Sequence, residues 1–210
     1  MAAAHGSSAA EVFDALGAAY ETAFADSAAH RASLDGLLAE LEPGSRVLDV
    51  GSGTGRPTAQ TLAAAGHRVL GLDVSPVMVE LAARQVPGAE FRRADVRELP
   101  LPQEEFDAVC VYFSLLQMSR DEQRDLLARL HGALRPGGRL VVATVPLDVE
   151  GVTGLFMGQE VRVTSFGADA FEALVTGAGF TVLARESVLF TPSHPAATPE
   201  PHLFLRARRD

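Results

Sequence analysis

A short apolar run that breaks into alternate glycines constrains this chain more than any other stretch. Residues 47–55 read Val-Leu-Asp-Val-Gly-Ser-Gly-Thr-Gly, and a helical segment begins near Pro57. Alternate glycines allow positive φ and a close approach of the backbone to a bound molecule, and a helix N-terminus adds free N–H groups and the positive end of a dipole. The stretch therefore predicts a strand, a tight turn and a helix around a small ligand that carries oxygen atoms. Its Gly-x-Gly-x-Gly spacing is one residue shorter than the spacing typical of dinucleotide-binding turns.

Composition indicates one globular domain and argues against nucleic acid as a partner. The chain has 210 residues, 47% of them hydrophobic, and a formal net charge of -9. This length suits a single sizeable core. Because no basic block is present to neutralise the phosphates of a duplex, we expect no nucleic acid partner. The composition leaves open whether the protein is a monomer or a homodimer.

The sequence also argues against membrane insertion and against cysteine chemistry. No run reaches the roughly 18 apolar residues of a membrane span, and residues 1–8 lack the pattern of a signal peptide. We therefore expect a cytoplasmic protein with no membrane contact. The single cysteine, Cys110, lies in an apolar run and excludes a disulfide framework or a cysteine metal site.

Strand and helix patterns alternate with short connections from 46 to 145. The predicted strands are 46–50, 69–72, 89–92, 106–113 and 139–145, and the predicted helices are 57–65, 76–85 and 119–134. Parallel strands need crossover connections, which are right-handed almost without exception. The pattern therefore predicts an α/β fold with an open, doubly wound sheet that binds ligands at the carboxyl ends of its strands.

The ends of the chain follow other patterns. Residues 8–41 predict an amphipathic helix pair that breaks near Asp26, and Tyr20 and Phe24 on it either pack in the core or close over the ligand as a lid. Beyond the alternating region we predict a turn at 135–138, a loop or small hairpin at 146–163, a helix at 169–178 and strands at 180–189 and 202–208. We take 1–42 as an N-terminal helical cap of the same domain as 43–210.

Two acidic residues follow predicted strands at one edge of the sheet. Asp73 ends the second strand about 20 residues past the glycine turn, where a carboxylate can accept both hydroxyl groups of a ribose. Asp95 follows the third strand and would face the same edge as Gly51 and Asp73 if the strands are parallel. The site is therefore expected along this edge.

Four stretches, 48–55, 73–78, 94–96 and 134–140, together resemble the class I S-adenosylmethionine-dependent methyltransferases in order and spacing. The resemblance covers about 46–209 and implies a Rossmann-like sheet of seven strands, whose last strand is antiparallel and inserted between the fifth and sixth. It implies S-adenosylmethionine as the cofactor, and it carries over cofactor-binding roles to matching positions. By resemblance, the methionine portion meets Asp49, Gly51, Ser52, Gly53 and Gly55; the ribose meets Asp73; the adenine meets Val74, Met78, Asp95 and Val96; and Phe113 and Ser114 line the methyl-donor side.

The acceptor side carries weaker signals. If a hydroxyl is methylated, a base would help, and the candidates are Tyr20, Gln117 for orientation, His194 and His202. No carboxylate group resembles the Asp-Asp-Asn magnesium site of catechol-type enzymes, so we expect no metal. Residues 112–115 read Tyr-Phe-Ser-Leu where enzymes that methylate nucleic acids or amines often have Asn/Asp-Pro-Pro-Tyr, which favours another small-molecule acceptor.

Two other functions remain open at this level. A nicotinamide-dependent oxidoreductase could use the same sheet, although the glycine spacing fits it less well and the chain has no lysine for the Tyr-x-x-x-Lys pair of short-chain dehydrogenases. A repurposed or non-catalytic S-adenosylmethionine-binding protein would carry the same motifs.

Overall fold

A seven-stranded sheet organises residues 8–210, the part of the chain that the computed structural model describes. The strands are β1 (Arg46–Val50), β2 (Arg68–Asp73), β3 (Glu90–Arg93), β4 (Phe106–Tyr112), β5 (Leu134–Thr144), β6 (Val149–Phe156), β7 (Gln159–Ser165), β8 (Phe180–Phe190) and β9 (Glu200–Arg209). The order across the large sheet is β3-β2-β1-β4-β5-β9-β8, and β6 and β7 form a separate hairpin. β1 to β5 are parallel, and β9 runs antiparallel to both β5 and β8. The predicted α/β fold, with its last strand inserted antiparallel, is confirmed.

Seven helices in the described chain connect or cover these strands. They are α1 (Ala9–Leu16), α2 (Ala18–Phe24), α3 (Ala28–Leu38), α4 (Thr58–Ala64), α5 (Pro76–Gln85), α6 (Arg120–Ala133) and α7 (Ala168–Gly177). Serine residues cap two of these helices: Ser75 Oγ accepts from the Met78 N–H, and Ser119 and Glu122 form a capping box. These caps satisfy N–H groups that a helix cannot pair internally. No helix within residues 8–210 is both long and apolar enough to cross a membrane.

The core lies on both faces of the sheet because β4 is covered on both sides. Val109 and Val111 of β4 pack with α6 and α7 on one face. Ala108 and Cys110 pack with α3 and α4 on the other. Cys110 is fully buried there, and burial raises the pKa of its thiol well above the ordinary value. The alternation in β4 thus ties two helical layers to one strand.

The N-terminal region differs from its prediction. It forms three helices instead of a pair, because Gly17 adopts a φ of 49° and separates α1 from α2. The second break, at Ser27, lies where the sequence placed it, and Ser27 Oγ caps α3. A glycine inside an alanine-rich segment is a weak signal, so the periodicity of the aromatic side chains concealed this break.

Two further segments, 135–138 and 146–163, can be compared with their predicted structures. Residues 135–138, predicted as a turn, lie within β5, where the pairing with β4 shifts between Phe106 and Ala108. None of these four residues has a partner in β4, which pairs with Leu134 and then with Arg139, and Gly137 has a φ of 75°, so the Pro-Gly-Gly run forms a bulge inside the strand. Residues 146–163 adopt the hairpin alternative, with Met157 and Gly158 at its tip. Val161 of this hairpin packs against Val12 and Leu16 of α1, which brings hairpin and helix together.

Substitution of Phe171 tests the core beneath α7. Phe171 is fully buried, so Phe171→Ala should lower the free energy of unfolding by about 3–5 kcal/mol. The matched control Leu155→Ala removes a side chain that is 81% exposed, and it should change stability by at most about 0.5 kcal/mol. Urea denaturation followed by circular dichroism measures both, and equal losses would contradict this packing.

Candidate functional site

Two adjoining cavities lie at the carboxyl ends of β1, β2 and β4. The larger has a volume of about 410 Å³ and the smaller about 220 Å³. Both are lined by residues of the glycine turn and of the β4 end, together with Tyr20 from α2. The sheet edge, the glycine turn and the N-terminal helices therefore enclose one divided site.

The glycine turn is held to β2 and to the segment that follows β4. The Gly51 N–H donates to the Leu72 carbonyl at 2.8 Å, and Ser114 Oγ donates to the Val50 carbonyl at 2.8 Å. Gly51 has a φ of 69°, and a Cβ built on it would overlap the Ser114 side chain. Only glycine fits a position that combines positive φ with so close an approach. The turn therefore depends on contact with the neighbouring strand as well as on its own conformation.

Asp73 connects the turn to α5. Its Oδ2 accepts from the Gly53 N–H at 2.9 Å and its Oδ1 from the Ser75 N–H at 2.9 Å. Burial raises the pKa of the Asp73 carboxyl, and these two hydrogen bonds oppose that shift. Ser75 Oγ in turn donates to Asp14 Oδ1 of α1 at 2.5 Å. A continuous polar chain thus runs from the glycine turn to the first N-terminal helix.

The predicted adenine side lies in the larger cavity. Val74, Met78, Asp95 and Val96 all line it. The Asp95 carboxylate is also engaged by the Arg97 guanidinium at 2.6 Å, and this hydrogen bond lowers the pKa of Asp95. A carboxylate has lone pairs for more than one donor, so the pairing leaves it acceptor capacity while fixing its orientation.

The smaller cavity concentrates buried polar atoms that have no hydrogen-bond partner. Its lining contributes four of them: Glu21 Oε2, Asp49 Oδ2, Ser52 Oγ and His202 Nδ1. Asp49 is only 2% exposed, and burial, with the charge of Asp73 as the smaller cause, raises its pKa to about 7. Buried polar groups are nearly always paired in folded proteins. Four unpaired atoms around one cavity therefore indicate a polar ligand.

Phe113 stands between the cavities in a strained conformation. It directly follows β4, lines both cavities and has a φ of 57°, which is costly for a residue with a side chain. Its ring lies 4.5 Å from the His202 ring, centroid to centroid. Ser114 lines only the larger cavity. The strain indicates that the ring position is enforced by the surrounding structure.

The candidate acceptor-side residues fall in different places. Tyr20 lines both cavities, and Gln117 lines the larger one with its Oε1 buried and unpartnered. His202 lines the smaller cavity, whereas His194 lines neither and accepts from the Ala196 N–H. Burial, with smaller contributions from Glu200 and Asp73, raises the pKa of Tyr20 above its usual range. Tyr20 can therefore donate a hydrogen bond but is a poor proton acceptor.

Of the remaining residues predicted to bind the cofactor, two line a cavity and one packs behind the turn. Ser52 and Gly53 line the smaller cavity, and Gly53 also lines the larger. Gly55 lines neither, and its Cβ position faces Phe91 and Val86 at 3.0 and 3.1 Å. Gly55 therefore has a packing reason for lacking a side chain.

Several lining residues escaped the sequence-based prediction. Phe13, Arg97 and Arg162 line the larger cavity. Asp14 lines neither cavity but accepts a hydrogen bond from Ser75 Oγ. Phe13 could have been identified from the sequence, because its helical spacing places it on the same predicted face as Tyr20. Arg162 had no such signal, because its hairpin carries no motif. The hairpin is positioned by packing on α1 and by the Thr164 N–H, which donates to the Leu116 carbonyl at 2.7 Å.

Comparisons with known proteins agree with this geometry. Residues 47–138 match the family model described as a methyltransferase domain. The chain is 37% identical over 143 residues to the demethylmenaquinone methyltransferase of Clavibacter sepedonicus, covering 62% of this chain and 57% of that protein. It is 32% identical over 149 residues to the O-methyltransferase cnsE of Penicillium expansum, covering 67% and 53%. The chain thus spans little more than half the length of these curated relatives.

A solved structure extends the likeness over most of the chain. The 1,6-didemethyltoxoflavin-N1-methyltransferase of Burkholderia thailandensis, with bound 1,6-didemethyltoxoflavin and S-adenosylhomocysteine, is 29% identical with a TM-score of 0.71. The match covers 95% of this chain and 86% of that one. The family model, the curated relatives and this structure all support assignment of the chain to the class I S-adenosylmethionine-dependent methyltransferases, with S-adenosylmethionine as the cofactor. This family assignment argues against the oxidoreductase alternative.

Across residues 8–210, no group of three or more His, Cys, Asp or Glu side chains is arranged to hold a metal ion.

The raised pKa of Asp49 predicts a pH-dependent stability. Its folded-state pKa of about 7 exceeds the ordinary aspartate value of 3.8, so between these pH values the folded protein keeps a proton that the unfolded chain releases. The free energy of unfolding should therefore fall as pH rises from 3.8 to about 7. Asp49→Asn should remove this slope and be more stable at pH 8 by on the order of 2–4 kcal/mol. Urea unfolding at several pH values measures it, with the 93%-exposed Asp169 side chain changed to Asn as control. An unchanged slope in Asp49→Asn would contradict the assignment.

A second prediction separates backbone strain from close approach at the glycine turn. Gly51 and Gly44 have similar φ values, 69° and 73°, but a Cβ at Gly44 would meet nothing within 4 Å. Gly44→Ala should cost about 1–2 kcal/mol through φ alone. Gly51→Ala should cost more, because its Cβ would overlap Ser114. Thermal unfolding compares the two, and equal losses would show that Ser114 yields without cost.

Proposed function

We propose that the protein transfers the methyl group of S-adenosylmethionine to a small-molecule acceptor without a metal ion. The observation that carries the proposal is the set of unpartnered buried polar atoms in the smaller cavity, next to the Asp73 cavity. An amino-acid group and an adenosine group joined at a sulfonium would need one such polar cavity beside one largely apolar cavity.

The larger cavity suits the adenosine end. The Asp73 carboxylate can accept two ribose hydroxyl groups, provided that it exchanges or shares the N–H donors of Gly53 and Ser75. Met78 is fully buried and Val96 is 6% exposed, so they offer apolar surface for a flat ring. Asp95, held by Arg97, can accept from an exocyclic amino group.

The smaller cavity suits the amino-acid end along its Asp49, Ser52 and Arg56 side, which leaves its His202 side to the acceptor. The ionised form of Asp49 would face an ammonium group, and Ser52 Oγ can donate to a carboxylate. Arg56 also lines this cavity and is 3.4 Å from Glu21, which supplies a cation for the same carboxylate. An ammonium group beside Asp49 would favour its charged form and offset the burial that raises its pKa.

For methyl transfer, this chain has mainly to hold the methyl donor and the acceptor in position and to exclude water from between them. The bound cofactor supplies a methyl group that its sulfonium makes electrophilic. Phe113, Tyr20 and Phe24 would keep water from the transfer path, and Gln117 Oε1 would orient the acceptor by accepting a hydrogen bond. Orienting two reactants in one site can supply many orders of magnitude in rate.

The acceptor is proposed to be small, with a partly apolar body. Met118 and Phe13 line the larger cavity, and Phe113 lines both cavities, so an acceptor beside Phe113 would face both. The formal charge of -9 favours a small molecule over nucleic acid. The relatives are named for quinone, O-methyl and N-methyl transfer, which supports the class and leaves the atom open. The described part of the proposed cap 1–42 and the hairpin would form the acceptor wall of the domain 43–210.

The decisive experiment combines binding and turnover. Isothermal titration with S-adenosylhomocysteine and with NAD should show micromolar or tighter binding of the first alone. S-adenosylmethionine should then be consumed with a panel of phenols, quinols, amines and carbon acids. Binding without turnover across the panel would favour the repurposed or non-catalytic alternative, and NAD binding alone would overturn the proposal.

Asp73 provides the point prediction. Asp73→Asn should weaken S-adenosylhomocysteine binding tenfold or more, because a hydrogen bond to a charged group contributes about 1.5–3 kcal/mol. Asp169→Asn is the matched control, with its side chain 93% exposed and outside both cavities, and it should leave affinity unchanged. Calorimetry measures both after circular dichroism has established folding. Wild-type affinity in Asp73→Asn would show that Asp73 is misassigned.

A further inference from the structure

His202 has the environment of a reactive histidine rather than a structural one. It lies near the start of β9, is 1% exposed, and its Nε2 is 2.8 Å from Glu200 Oε1. Its Nδ1 is buried without a partner, and the residue lines the smaller cavity. A histidine that serves only the core would be expected to pair both nitrogens.

The Glu200 contact fixes the direction of proton transfer. An ionised carboxylate can only accept, so Nε2 carries the hydrogen and the lone pair of the neutral ring is on Nδ1. A base held by a second group in this manner is the arrangement that nucleophile activation requires. Glu200 is therefore a positioning residue, and it would stabilise the ring after the ring gains a proton.

Aromatic side chains surround the His202 ring. Its centroid lies 4.5 Å from that of Phe113, 5.2 Å from Phe190 and 6.4 Å from Phe24. Phe24 also stacks on Phe156 of the hairpin at 6.0 Å. This wall would exclude water from Nδ1 and would favour a planar apolar body beside it.

Other groups near the cavities serve less well as a base. Tyr20 holds its proton because burial raises its pKa, and Gln117 has no proton acceptor that titrates in the useful range. His30 pairs its Nε2 with Thr58 Oγ1 at 3.1 Å, and burial lowers its pKa to about 3. His202 is the group with a free lone pair and a carboxylate behind it.

We infer that His202 is the general base of this site, held by Glu200, and that the acceptor is a planar, largely apolar compound with an acidic hydroxyl group. The inference rests on the proposed function. Nδ1 takes the hydroxyl proton while the acceptor oxygen forms a bond to the methyl carbon, and the pair of electrons of the carbon–sulfur bond goes to sulfur. The proton leaves the ring to solvent after the product departs.

The pH dependence of such a step involves every titratable or charged group around the ring. These are Glu200 on β9, Tyr20 and Glu21 on α2, His30 on α3, Asp49 on β1, Arg56 in the glycine-turn segment and Tyr112 on β4. A variant of His202 itself, compared with wild type, isolates its own contribution.

The first test observes the proton without turnover. The probe is 7-hydroxycoumarin, whose absorption spectrum distinguishes phenol from phenolate, titrated into protein saturated with S-adenosylhomocysteine. At a pH where the free probe is mainly protonated, the wild type and the control His194→Gln should bind it as phenolate. His202→Gln should bind it within about threefold in affinity but as phenol. Phenol in all three proteins, or no binding of the probe to the wild type, overturns the inference.

The second test uses turnover on hydroxylated acceptors. His202→Gln should lower kcat by 10²–10⁴-fold, remove the fall in rate at low pH, and leave KM and S-adenosylhomocysteine affinity within threefold. Glu200→Gln keeps the hydrogen bond but not the charge, so kcat should fall less and the acid limb should move to lower pH. Methyl transfer with unaltered kcat and pH profile in His202→Gln overturns the inference and leaves the proposed function standing. Failure of the wild type to turn over any acceptor would instead count against the proposed function.

Discussion

The two hydrogen bonds that Asp73 accepts are the constraint on which the rest of the site depends. One fixes the Gly53 N–H of the glycine turn, and the other fixes the Ser75 N–H at the start of α5. Ser75 also caps that helix and contacts Asp14 of α1. Because one carboxylate connects β2, the turn, α5 and the first N-terminal helix, displacement of any of these elements would disturb the others. The proposed ribose contact would therefore be coupled to the position of the cap.

The smaller cavity is costly to the folded protein in a manner typical of functional sites. Each unpartnered buried polar atom costs about 1–3 kcal/mol, and Asp49 and Phe113 add an unfavourable charge state and a strained backbone. Such features persist only where the surrounding structure enforces them. The double-sided burial of β4, with α6 and α7 on one face and α3 and α4 on the other, supplies that support. The ligand that satisfies these groups should also relieve the cost.

Much of the fold could be predicted because local signals agreed with the tertiary arrangement. β1 and α5 were predicted at their observed bounds, and Ser75 and Ser119 cap the predicted helices. Predictions differed from the structure where a longer-range arrangement decided the outcome. Residues 135–138 form a bulge within β5 instead of a turn between elements, and Gly17 breaks a helix that aromatic periodicity favoured. For the site, the motif residues lie around the cavities, except that Gly55 packs behind the turn. Arg162 and Asp14 carried no signal because they belong to contacts distant in sequence.

The sequence by itself determined the parallel sheet, the glycine turn and the acidic edge, because period, spacing and turn chemistry are local properties. It also carried the resemblance that named the cofactor. Only the tertiary structure decided which side chains meet. The contact with Glu200 leaves the lone pair of His202 on Nδ1, and the fold brings that atom to the smaller cavity. The contact between the hairpin and α1 arises from packing between segments distant along the chain. No periodic pattern encodes such contacts. The residues proposed to bind the methyl donor could therefore be predicted from the sequence, whereas those proposed to face the acceptor could be identified only from the tertiary structure.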